Sequence, residues 1–434
     1  MMRLQRLFSV LLPLTTLTTA TSPSIVQWNS TNSYGPDGPW QVVTVKIGNE
    51  FAGDAVSTVN LLPGGMWESM INTPLVCNGS SADACLAAKA GLYNINGSRH
   101  AVRILTTSSP WVWEWDSEVA LNISGHSTIV LDQMSISTLQ ETVTVGNIAL
   151  FAVEASQIML PDGRNYSTQV GSLSLGSPKQ GMIRYNPDKY DNSTNHPLGV
   201  TIPGYLAHQN LTPSNSFGLH YGSASLGPVG SLVWGGYDQS RVLGDIGSFD
   251  LDSKNAMLVS LLDVQIGVEN GTSPFHSDSL TGLLKLNARF YGVQPVIIDT
   301  VLAYLSMLPD TCAAIAQNLP VSLQPSIGLY TWNTADPQFQ KIMRSPSYLA
   351  FVFQKSGAGN LTIKVPFQLL NLTLEAPIVP QTLQYFPCQP FQANDGSGHY
   401  FFGRAFLQAA FIGLNWEQMK WFLAQAPVRA TIFA

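Results

Sequence analysis

Short runs rich in Val, Ile, Thr and aromatic residues recur along this chain between clusters of Gly, Pro, Asn and Ser, and apolar residues at helical spacing are scarce. The runs at 40–48 (WQVVTVKIG), 57–62 (STVNLL), 141–153 (ETVTVGNIALFAV), 231–236 (SLVWGG) and 361–367 (LTIKVPF) read as strands. One segment reads as a short helix, 308–319 (LPDTCAAIAQNL), with Pro at its second position and an Asp beside it. The polar, turn-rich stretch 209–216 (QNLTPSNS) marks a boundary between two halves. The pattern predicts an all-β protein.

A faint internal repeat refines that expectation. In the first half VNLLPGG (59–65) is followed by GSLSLG (171–176), and in the second VIIDTVL (296–302) is followed by HYFFGRAF (399–406). Each pair is a strand ending in a loop, then a second short apolar segment. Two similar lobes around a central cleft are the architecture this suggests.

The 434 residues are long enough for a large core, and with 45% hydrophobic and 11% charged residues the chain is poor in charge for a soluble domain. A net charge of −6 without a Lys/Arg cluster excludes a nucleic-acid partner. Residues 1–20 read as a secretory signal peptide: Arg3 and Arg6, an interrupted apolar stretch from Leu7 to Leu17, then a small-residue exit at Thr19-Ala20. No later stretch is long and apolar enough to span a membrane. A soluble, secreted, monomeric mature chain is expected.

Ten Asn-X-Ser/Thr sequons, at Asn29, Asn78, Asn96, Asn122, Asn165, Asn192, Asn210, Asn270, Asn360 and Asn371, point to glycosylated surface loops. The four cysteines allow three connectivities. The local pair Cys77–Cys85 closes a short loop, which leaves Cys312–Cys388 as the long-range bridge. Neither pair has metal-ligand spacing and the seven His are scattered, so neither a metal nor another cofactor is expected.

At this point the chain resembles the pepsin-like aspartic peptidases, in particular their degenerate fungal secreted relatives. The resemblance rests on 400–426 (YFFGRAFLQAAFIGLNWEQMKWFLAQA), 214–251 (with its GGYD turn), 297–309 (IIDTVLAYLSMLP) and 141–147 (ETVTVGN). It implies a bilobal pepsin-like fold, with lobes at 21–213 and 214–434, each barrel-like, joined by an inter-lobe antiparallel sheet. It also implies a catalytic pair of carboxylates sharing one proton, because like charges that close cannot both ionise.

Only half of that pair is present. Asp299 and Thr300 stand in the second half, with Val301 where the family has Gly. Placing Gly64 on the family's Gly puts Leu62 at the first catalytic Asp and Pro63 at its Thr; anchoring on Trp67 puts Asn60 there instead. Neither choice supplies an acid. Asp54 reads as a solvent-facing residue of a hairpin turn, and Asp132 as part of a flap hairpin (128–143) that lacks the family's Tyr and Gly. Residues 21–39 contain no Lys or Arg, so no basic pro-segment is expected.

The resulting expectation is a secreted glycoprotein of aspartic-endopeptidase fold, catalytically inactive, with Asp299 a remnant and the cleft a binding groove for a peptide, protein or glycan. An acid endopeptidase with an altered dyad is the alternative. A third reading, glycan binding, rests on the strand WVWEWDSEV (111–119), where Trp111, Trp113 and Trp115 alternate with Glu114, Asp116 and Glu118; alternation along a structural strand gives the same pattern. No serine-hydrolase elbow or phosphate-binding loop is present.

Overall fold

A computed structural model describes residues 21–65, 67–78, 85–107, 123–178, 181–184, 198–286, 293–357, 359–390 and 400–428. The signal-peptide stretch, the Trp-rich strand at 111–119, and the sequons at Asn122 and Asn192 lie outside the described residues.

The architecture is all-β. The five runs read as strands form Trp40–Ile47, Ser57–Pro63, Thr142–Met159, Ser231–Trp234 and Asn360–Pro366. The helix expected at 308–319 spans Pro309–Ala316, with Pro in the first turn where its missing N–H costs nothing. Residues 28–200 build an eleven-stranded sheet, and residues 258–402 build an eight-stranded and a four-stranded sheet.

A six-stranded antiparallel sheet completes the molecule. Its order is Ser24–Ile25, Ser231–Trp234, Ser216–His220, Ala410–Asn415, Lys420–Gln425 and Leu243–Asp250. It leans on the first half through Trp416, whose Nε1 donates to the Leu175 carbonyl at 3.1 Å and whose ring sits 5.4 Å from that of Trp67. One apolar core runs from Val26 to Val428 and includes the fully buried Trp40, Trp234, Trp416 and Trp421. Each such ring removes about 150–250 Å² of surface from water, so these residues carry a large share of the core's stability.

The repeat suspected in the sequence is a structural one. Val296–Ile298 pairs in parallel with Tyr400–Phe402, and Leu61–Pro63 pairs in parallel with Gly171–Leu173. Strands buried on both faces need continuous apolar runs, which accounts for VII at 296–298 and YFF at 400–402. The disulfides are Cys77–Cys85 and Cys312–Cys388. No helix among the described residues is long and apolar enough to cross a membrane.

Candidate functional site

Each parallel strand pair ends in a loop, and the two loops meet. Ile298 lies opposite Phe402, and the next residue, Asp299, donates its N–H to the Phe402 carbonyl at 3.0 Å. Pro63 lies opposite Leu173, and the next residue, Gly64, donates its N–H to the Leu173 carbonyl at 2.9 Å. By this register the residue related to Asp299 is Gly64, two positions beyond Leu62, with Gly65 related to Thr300. The alignment that put Leu62 and Pro63 at the acid and its Thr is corrected accordingly. Leu62 lies inside the strand, opposite Ser172.

The contact between the loops is tight. A Cβ on Gly64 would stand 2.7 Å from the Thr300 carbonyl oxygen and 3.0 Å from its Oγ1. Gly65, at φ +91°, donates its N–H to Thr300 Oγ1 at 3.1 Å. The reciprocal bond that a Thr at position 65 would make is absent, and a third residue fills the gap. Tyr221, buried immediately after the Ser216–His220 strand, directs its hydroxyl at the carbonyls of Pro63 and of Thr300, the latter at 2.9 Å. Val301 is not among the described non-glycine residues with positive φ, so the loop turns without the left-handed conformation a β-branched residue resists.

Asp299 is completely buried. Its Oδ1 accepts from the N–H groups of Val301 (2.7 Å) and Leu302 (3.0 Å), while Oδ2 has no protein partner. Burial pushes its pKa above the ordinary carboxyl range, against the pull of the Leu302 and Val301 N–H groups and the Arg404 charge.

Beside the loops lies a cavity of about 90 Å³ between the two halves, lined in part by Asp37, Leu62, Ser172, Val301, Tyr304 and Arg404. Arg404, which follows FFG in the second repeat, is 5% exposed. Its Nη1 donates to the Val301 carbonyl, its Nη2 faces Asp37 Oδ1 at 3.6 Å, and its guanidinium carbon lies 4.8 Å from the Trp40 ring centroid. Asp37 Oδ1 also accepts from Trp40 Nε1 at 2.8 Å. The loop carrying Asp37 is tied to the second half: the Pro36, Asp37 and Gly38 carbonyls accept from Glu375 N–H (2.8 Å), Tyr385 hydroxyl (2.7 Å) and Thr373 N–H (2.8 Å). Among the described lining residues of the cavity Asp37 is the one acid, and it faces Arg404 and accepts from Trp40.

Asp54 and Asp132 do other work. Asp54 does not face solvent: its side chain is fully covered and accepts from the N–H groups of Asn49 and Arg99, from Ser98 Oγ and from His100 Nδ1. These bonds, the Asn49 N–H first, hold its pKa well below the usual carboxylate range. Asp132 is buried on the Ile123–Ser137 strand, where it accepts from Tyr93 hydroxyl (2.7 Å) and Ser98 Oγ (2.9 Å). The hairpin read as a flap turns at 138–141 and is pinned to the N-terminal strand by Leu139 N–H to Ile25 O and the Val26–Thr138 bridge. It is a structural hairpin rather than a cover for Asp299.

Among the described sequons, Asn78, Asn96, Asn165, Asn210, Asn270 and Asn360 are exposed. Asn29 and Asn371 are half-buried, and Asn29 Nδ2 is engaged by Thr44 Oγ1 (3.4 Å) and Asn60 Oδ1 (3.3 Å). Among the described residues no group of three or more His, Cys, Asp or Glu could hold a metal ion.

Tyr221, Arg404, Asp37 and Ser172 were not singled out from the sequence. Arg404 had a signal: a single cation inside the run YFFGRAFLQAAFIG must be paired if that run is buried.

An all-β fold whose two internal repeats meet loop to loop, with a buried Asp-Thr at the meeting point, defines the pepsin-like class. Residues 131–426 match the family model for eukaryotic aspartyl protease, and the chain belongs to that family. The matched span contains the Asp299 loop and begins after the Gly64 loop. Compared with curated proteins, the chain finds no match.

Proposed function

We propose that this chain is a catalytically inactive member of its family, secreted and N-glycosylated, whose inter-lobe cavity serves binding rather than peptide hydrolysis. The observation that carries the reading is Gly64. The family's chemistry needs an ionised carboxylate to activate water and a protonated one to hydrogen-bond the scissile carbonyl. The position related to Asp299 has no side chain, and the Thr300 backbone packs where one would begin. Asp299 alone is one carboxyl where the chemistry needs two. The exposed sequons and the two disulfides support an extracellular chain.

The test incubates the purified glycoprotein with denatured protein at about pH 3–5, the acid range in which such a dyad is half-protonated. Parallel samples contain a statine-type transition-state inhibitor, and Asp299→Asn is run alongside. The expected result is no inhibitor-sensitive cleavage from either protein. Inhibitor-sensitive cleavage by the wild type that Asp299→Asn abolishes would overturn the reading and favour an altered-dyad endopeptidase.

A further inference from the structure

A hairpin tip of the first half reaches across to the second. The strands Trp28–Tyr34 and Trp40–Ile47 pair antiparallel, with Tyr34 opposite Trp40, so residues 35–39 (GPDGP) are the loop of that hairpin. The tip lies along Leu372–Leu374, the edge strand of the four-stranded sheet. The Pro36 carbonyl accepts from Glu375 N–H and the Gly38 carbonyl from Thr373 N–H, both at 2.8 Å. Residues two apart on the tip thus meet residues two apart in reverse order on the strand, the spacing of an antiparallel pair. Between them the Asp37 carbonyl accepts from the Tyr385 hydroxyl at 2.7 Å.

The same tip is a wall of the cavity. Gly35, Pro36 and Asp37 line it from the first half, and Val301, Ala303 and Tyr304 line it from the second. Besides the three hydrogen bonds, the tip is held by the Asp37 carboxylate. Trp40 Nε1 steadies that carboxylate at 2.8 Å, while Arg404 Nη2 stands at 3.6 Å, beyond hydrogen-bond range. Pro36 and Pro39 fix φ on either side of Asp37, which makes the tip stiff. Gly35, at φ +87°, joins it to Tyr34. A stiff loop docked by a few bonds at its tip opens at a lower cost than unfolding either half. We infer that the 35–39 tip is a gate on the cavity. Docked on Thr373 and Glu375 it completes the wall, and its release, with both halves folded, opens the cavity to a ligand. The inference adds a moving part to the site whose binding role is proposed above.

Hydrogen exchange on the intact glycoprotein, resolved to single amides, tests the release. It compares Thr373 and Glu375 with Leu372 and Leu374, which pair inside the sheet with Tyr385 and Leu383. Thr373 and Glu375 are expected to share one protection factor, lower than that of the two leucines. Asp37→Asn keeps an acceptor for Trp40 Nε1 and removes the charge facing Arg404. It should lower the protection of Thr373 and Glu375 by at least about fivefold, the upper range for a surface ion pair and the least expected of a more buried one. The leucines should not change. Ala303→Cys then reads the cavity itself: position 303 is 2% exposed, and alkylation of the reporter thiol by iodoacetamide should quicken by the same factor when Asp37→Asn is added. Equal protection of all four amides in the wild type would show that the tip leaves only when the sheet unfolds, and it decides the matter even where the variant fails to fold. Protection unchanged by Asp37→Asn, or alkylation that does not follow it, would also overturn the gate. None of these measurements involves cleavage, so a peptidase result would sink the inactive reading while leaving the gate standing, and the reverse holds.

Discussion

Gly64 and Thr300 are in contact through backbone: a methyl group on the first would come within 2.7 Å of the carbonyl oxygen of the second. Backbone on both sides cannot yield as a flexible side chain can. Gly64→Ala is therefore expected to destabilise the fold by about 1–3 kcal/mol, the usual cost of overpacking. Gly64→Asp should be at least as costly and should not create a peptidase. Denaturant unfolding measures the first and the acid cleavage assay the second; an unfolding midpoint unchanged by Gly64→Ala would show that the loops can part freely.

Thr300 accepts the Gly65 N–H through Oγ1. Thr300→Val keeps the shape and removes the acceptor, stranding an N–H group at the loop junction for about 1–3 kcal/mol. Thr300→Ser retains the hydroxyl and should recover most of that loss. Equal stability of the two variants would mean that the bond contributes nothing.

Asp299 has a folded pKa raised above its ordinary value by burial. The stability linked to it is fully present below the ordinary carboxyl pKa, about 3.9, and is lost as pH rises through the folded value. Asp299→Asn keeps the acceptor for Val301 and Leu302 and cannot ionise. The variant should be no more stable than wild type near pH 4 and should gain on it as pH rises, by up to about 1.4 kcal/mol per unit within the titrating range. Melting curves of both proteins from about pH 4 to about pH 8, starting near the ordinary carboxyl pKa, give the comparison; a constant difference would show that the carboxyl titrates normally.

His220, buried in the six-stranded sheet with Nε2 3.0 Å from the Gln408 carbonyl, behaves in the opposite sense. Burial pushes its pKa down to about 4. Stability linked to it is complete above the ordinary histidine value of about 6.5 and falls as pH drops toward the folded value. The total is about 3 kcal/mol, from roughly 1.4 kcal/mol per pH unit. His220→Gln should lower stability at neutral pH and flatten the curve within that window. Urea titrations through the same range would expose a failure as parallel curves.

Much of the fold was legible in the sequence because burial on both faces forces continuous apolar runs, as at 296–298 and 400–402. The site was legible to the level of Asp299-Thr300 and no further. Which residue opposes Asp299 depends on how Leu61–Pro63 registers against Gly171–Leu173, and two short apolar strands admit several registers one residue apart. After Asn60, LLPGG offers no polar side chain to fix the choice. Asp54 illustrates a second limit. Its place beside a turn follows from the flanking Gly, but whether its carboxylate faces water or the N–H groups of Asn49 and Arg99 is decided by residues 98–100, distant in sequence. Tyr221 had no local signal, since an aromatic residue near the end of a strand usually means only core.

The two-residue strand Ser24–Ile25 has a practical consequence for anyone wishing to study the halves apart. It hydrogen-bonds along Ser231–Trp234 on one side and is held by residues 137–139 on the other. A fragment cut at residue 213 would strip that cover and bare the outer backbone of Ser231–Trp234, an apolar strand whose unpaired N–H and C=O groups would recruit a neighbouring chain. The second half expressed alone is thus a candidate for fibrous or amorphous aggregation, and appending residues 21–27 to it as a synthetic peptide is the simplest way to keep it in solution.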